Sequence, residues 1–90
     1  MKQKILDAGL RAAEVDHYAY ITRAKVAAEA GCPDSLVSYY FNSMLNLRAA
    51  ILSEAIRVKH WQILAQALAN QDKEVESMRD EIAKHLYVGA

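Results

Sequence analysis

The sequence predicts an all-α domain, on three observations. Glycine and proline are scarce, with three Gly and one Pro in ninety residues. No stretch alternates apolar with polar residues over the length of a strand. Apolar residues instead recur at spacings of three and four through almost the whole chain, the signature of helices with one buried face. A chain of this length makes one small core and has no room for a second. With 53% hydrophobic residues, it is expected to bury part of that surface against a partner chain.

The elements follow in order. Ile5, Leu6, Leu10 and Ala13 mark a first amphipathic helix over residues 2–14, with Gly9 as a tolerated weak point. It ends before "DHYAY", where Tyr18 and Ile21 are expected to pack back onto it. Thr22 is an N-cap hydroxyl before "RAKVAAEA", and Gly31 supplies the left-handed residue that closes this second, short helix. Pro33 suits the first turn of a third helix, and Asp34 beside it suits the positive end of the helix dipole. That helix runs to Phe41, and Asn42 or Ser43 caps the next.

From Met44 to Asn70 the pattern predicts one long fourth helix, apolar on several faces, which must therefore be covered on several faces. After "NQDKE", Val75, Met78, Ile82 and Leu86 mark a fifth helix to Tyr87. Trp61, Leu64 and Leu68 on helix four and Val75, Met78, Ile82 and Leu86 on helix five form facing stripes. Two helices over a three-helix head cannot easily bury all of that surface in a monomer, so these seven residues are expected to form a two-fold dimer interface.

Eleven Lys and Arg balance eleven Asp and Glu, so no global positive field holds a polyanion, and any nucleic-acid binding must be local. The single cysteine, Cys32, excludes an intramolecular disulfide framework and fits a reducing compartment. The charged, periodic N-terminus is unlike a signal peptide, and no apolar run reaches spanning length. A cytoplasmic, bacterial-type protein without a membrane partner is expected. His17, His60 and His85 lack ligand-like spacing, so neither a metal nor another cofactor is expected. No nucleophile–base set, paired carboxylates or phosphate-cradling loop points to an enzyme.

The informative constellation is Ala27, Gly31 and Val37. In a helix-turn-helix the first helix carries a small residue at the crossing, a glycine is favoured at the turn four residues on, and an apolar residue six later locks the pair. Phe41, one turn beyond Val37, completes the buried side, with Leu10, Val26 and Leu45 as expected neighbours.

Residues 5–52, "ILDAGLRAAEVDHYAYITRAKVAAEAGCPDSLVSYYFNSMLNLRAAIL", resemble the N-terminal DNA-binding region of the tetracycline-repressor (TetR) family, in register and without gaps. The carriers are "ILDAGL", Tyr18, Thr22, "VAAEAG", and "YYFNS" followed by Leu47. The resemblance implies a homeodomain-like three-helix head at residues 1–43 with its third helix in the DNA major groove. Residues 44–90 would then hold the linking and dimerisation helices of one compact domain. The large effector-binding domain usual in the family does not follow, so no inducer pocket is implied. Either the protein is a naturally short repressor of phage or plasmid type, or it is an N-terminal fragment of a longer regulator. The first is favoured because helix five looks finished by "YVGA".

The resemblance also implies roles. Thr22 matches a capping hydroxyl that touches a phosphate, Arg23 can reach the backbone, and Lys25 imperfectly replaces the basic residue that the family often has where Ala24 stands. Asp34, Ser35, Leu36, Ser38 and Tyr39 match positions facing base edges and phosphates, and Tyr40 matches a phosphate contact. Met44 replaces the usual backbone lysine. Asp34 can accept from a cytosine amino group as well as favour the helix dipole, Leu36 suits either a thymine methyl or burial in a small apolar cluster, and Tyr40 either packing or a phosphate contact. Lys2 and Lys4 could add a basic arm. The expected function is thus a homodimeric transcription repressor binding double-stranded DNA at an inverted-repeat operator. The competing expectation, favoured by the charge balance and by Met44, is a helix-turn-helix module that docks another regulatory protein.

Overall fold

The computed structural model describes residues 1–87, with side chains as far as His85, and within them α1 (Lys2–Asp16) is the element on which the others are assembled. It buries Ile5, Ala8, Gly9, Ala12 and Ala13 on one stripe, and α2 (Arg23–Ala30), α4 (Met44–Val58) and α5 (Trp61–Ala69) all pack against it. The chain between α1 and α2 is a 3₁₀ turn at Tyr18–Tyr20. It starts where His17 takes φ 79°, and the His17 ring nitrogen accepts the Ala19 N–H. Tyr18 and Ile21 then turn inward, each 2% exposed. The Tyr18 backbone N–H finds Gln66 Oε1 of α5 at 2.8 Å, so a polar backbone group that would otherwise be orphaned by burial is satisfied.

The second helix is bounded as its sequence dictates. Thr22 Oγ1 accepts the Lys25 N–H, and Gly31 closes the helix at φ 71°, with its own N–H and that of Cys32 returned to the carbonyls of Ala28 and Ala27. This paired return is the Schellman arrangement, for which a residue in the left-handed region is required. Pro33 follows as the N-cap of α3 (Asp34–Tyr40). Ala27, Val37 and Phe41 are buried at the join.

The expected fourth helix over 44–70 is two helices. Lys59, at φ 55° and ψ 52°, breaks it. Its N–H returns to Ile56 O at 3.2 Å and that of His60 to Ala55 O at 2.8 Å, a second Schellman turn built without glycine. His60 Nδ1 then accepts the Ile63 N–H and caps α5, while His60 Nε2 reaches Glu14 at the end of α1. A third such turn at Gln71 (φ 64°) ends α5. The chain continues through a 3₁₀ segment, Lys73–Met78, into α6 (Arg79–Tyr87), so the expected fifth helix begins as 3₁₀ rather than α.

These breaks redirect the apolar surface. Leu64 and Val75 are fully buried and Ile82 is 1% exposed within one chain. Trp61 stacks on His85, with centroids 3.9 Å apart and planes 9° from parallel, and Leu68 and Met78 pack half-buried against the same cluster. Leu64, Val75 and Ile82, expected to join two subunits, therefore lie in an intramolecular core, because the folded-back chain covers them with its own helices, while Trp61, Leu68 and Met78 keep part of their surface outward. Leu86, the remaining member of that set, has its side chain outside the described residues. Leu45 is corrected as well: it stands 76% exposed instead of joining Leu10 and Val26.

One cluster runs from Ile5 through Val37 and Leu47 to Ile82, so the head and the following helices share a core. At its edge Glu54 of α4, 6% exposed, accepts from Arg57 Nε and Nη2 at 2.9 and 2.6 Å and from Gln3 Nε2 at 2.6 Å. These donors hold its carboxyl at about 2 against an ordinary 4.5, the Arg57 bonds outweighing the opposing effect of burial.

Candidate nucleic-acid interface

The exposed side of α3 is set by what its other side must do. Val37, fully buried, and Phe41, 5% exposed just past the helix end, fasten the seven-residue helix to the core. A helix of this length is about 10 Å long and offers the rest of its circumference outward. Asp34, Ser35 and Tyr39 are exposed, while Leu36, Ser38 and Tyr40 are half-buried. Tyr39 is the most prominent at 78% exposure. Its ring is held edge-on against Tyr40, with centroids 5.1 Å apart and planes at 89°, an arrangement favoured by the ring quadrupoles. Tyr40 in turn packs on the core, so the exposed ring is braced by a partly buried one.

Among the residues expected to act at this surface, Arg23 and Ser38 come together. Arg23 Nη1 donates to Ser38 Oγ at 3.4 Å, tying the start of α2 to the middle of α3. Arg23 Nε is buried and has no partner among the described residues. Thr22 stays exposed while its hydroxyl caps α2. Lys25 turns elsewhere: its Nζ donates to Tyr20 O at 3.3 Å and lies 3.6 Å from Asp16, at the join of α1 and the 3₁₀ turn. Asp34 occupies the first turn of α3 without a side-chain cap bond, where a carboxylate is favoured by the helix dipole.

Two features escape a reading of residue types alone. Lys2, the first residue of α1, has its Nζ 5.6 Å from the Phe41 ring centroid, which brings a cation to the C-terminal end of α3. Tyr20 is 68% exposed, two residues before Thr22. The signal for Tyr20 lay in "YAYI", where burying Tyr18 and Ile21 leaves Tyr20 on the outside.

Chemically the surface offers hydroxyl and phenol groups that both donate and accept, flanked by two cations and one carboxylate. The histidines are occupied in structural roles at His17, His60 and His85, and no group of three His, Cys, Asp or Glu is gathered among the described residues. None of the described helices is long and apolar enough to cross a membrane. No protein-family model, curated protein or solved structure matches the chain.

Proposed function

We propose that this chain is a sequence-specific DNA-binding transcription regulator whose α3 lies in the major groove as the second helix of a helix-turn-helix. The observation that carries the reading is the division of α3: Val37 holds it from within while Ser35 and Tyr39 stand free outside, beyond a glycine-closed turn from α2. The major groove is about 12 Å wide and accepts one helix. Ser35, Leu36, Ser38 and Tyr39 read base edges, Asp34 disfavours wrong sequences, and Thr22, Arg23, Tyr40 and Lys2 hold the backbone. Lys25 contributes only by leaving Asp16.

The tetracycline-repressor resemblance supports the same assignment, and a small repressor acting on an inverted repeat is its natural form. Two copies would then pair through a surface that does not include the buried Leu64, Val75 and Ile82. Exposed Tyr39 and Leu45, at 78% and 76%, on a chain of zero net charge, favour a second reading, a module that docks another regulatory protein.

Gel-shift titration on the DNA flanking the coding region separates the two. A shifted complex whose affinity falls with salt as about two to four phosphates neutralised per chain is expected of the DNA reader. Complete absence of a shift at low salt rejects it in favour of the docking module.

A further inference from the structure

A pocket of about 130 Å³ opens between α4, the 3₁₀ turn at Tyr18–Tyr20 and the connection that follows α5. Arg48 stands on its α4 side, and Asp72 and Glu74 stand on the connection opposite. The inward polar atoms are unmatched: Arg48 Nε and Asp72 Oδ2 are both buried and have no hydrogen-bond partner among the described residues. Asp72 occupies the N-cap position of the 3₁₀ segment yet makes no side-chain cap bond, although capping is what an aspartate there ordinarily does. The Tyr18 phenol completes the polar lining and is kept neutral by burial, by the charge of Asp72 and by a hydrogen bond to that carboxylate, so the oxygen left without a partner is Asp72 Oδ2 alone. Leu45 and Leu52 supply an apolar strip.

Buried polar atoms are normally paired with protein or with water, and a ligand whose charged groups replace that water with direct bonds gains free energy from them. A lone anion here would meet the repulsion of Asp72 and Glu74, and a lone cation that of Arg48. A molecule carrying both charges satisfies both walls. We propose that the pocket binds a small zwitterion of the α-amino-acid type with a short aliphatic side chain, its carboxylate on Arg48, its ammonium on Asp72 and Tyr18, and its side chain on Leu45 and Leu52. The site is independent of whether α3 reads DNA. Its size suits such a molecule, since an engineered cavity of roughly 150 Å³ admits benzene.

Calorimetric titration of the full chain with L-alanine tests this, with acetate and ethylammonium as the single-charge halves. Saturable alanine binding with a dissociation constant on the order of 1 mM is expected of so small a ligand, and each half should bind at least about tenfold more weakly, having lost one charged hydrogen bond. Arg48→Met and Asp72→Asn should each abolish alanine binding while leaving the unliganded melting temperature unchanged or raised. No alanine binding up to roughly 50 mM, far above that expected constant, overturns the proposal, as does equal binding of either half. A sharp fall in unliganded melting temperature in both variants also overturns it, because Arg48 and Asp72 would then be a structural pair.

Discussion

Gly9 of α1 and Ile51 of α4 lie so close that a Cβ built on Gly9 would stand 2.5 Å from Ile51 Cδ1 and 2.6 Å from its Cγ1. The glycine is a crossing point of two helices, not a weak place in one, and Ile51, fully buried, has little space to withdraw. Gly9→Ala gains about 1 kcal/mol of helix propensity and meets an overpacking cost of about 1–3 kcal/mol. Urea denaturation is expected to show a net loss of about 1 kcal/mol, partly recovered when Ile51→Val is added. A gain in stability would show that the helices cross elsewhere.

Lys59 offers a test whose sign distinguishes two folds. In the left-handed region a lysine is strained by about 1–2 kcal/mol, and glycine is not. Lys59→Gly should therefore stabilise the protein by about 1 kcal/mol. Were residues 44–70 one continuous helix, the same substitution would destabilise it by about 1 kcal/mol.

Leu64 decides between a core and an intersubunit stripe. Leu64→Ala is expected to cost about 2–4 kcal/mol, by the same amount in dilute and concentrated protein. A cost that shrinks on dilution, with wild-type melting that itself depends on concentration, would restore the interface reading.

Glu54 sets an acid limit. Its carboxyl sits at about 2 when folded and near 4.5 ordinarily, so the stability it contributes is present above 4.5 and disappears as pH falls towards 2. Because Arg57 is largely exposed to solvent, the contribution is at most about 1 kcal/mol. Glu54→Gln should lose that amount at neutral pH and approach the wild type near pH 2. Parallel stability curves across this range would contradict the pairing with Arg57 and Gln3.

Local chemistry explains which parts of this architecture can be read from residues. Thr22 and Gly31 bound α2 because a hydroxyl cap and a positive φ each demand particular residue types, and Val37 and Phe41 follow from helical spacing. Lys59 and Gln71 carry no such mark: their left-handed turns are imposed by the need of α4, α5 and α6 to cover one another. That non-local requirement also moved Leu64, Val75 and Ile82 from an expected interface into the core. Arg48 and Asp72 lie on elements far apart in sequence, so their opposition across a pocket is visible only after folding. On α3, spacing separates inner from outer residues, but the Arg23–Ser38 bond and the diversion of Lys25 to Asp16 depend on neighbouring elements.

The most direct measurement is selection of random DNA duplexes at low salt by the wild-type chain and by Tyr39→Ala. Tyr39 is 78% exposed, so the variant should melt as the wild type does. The wild type is expected to enrich a defined inverted repeat, and Tyr39→Ala to bind that repeat more weakly by about 1–3 kcal/mol. Failure of the wild type to enrich any sequence, or full retention of affinity by the variant on the enriched site, would contradict the assignment of the outer face of α3 as a DNA reader.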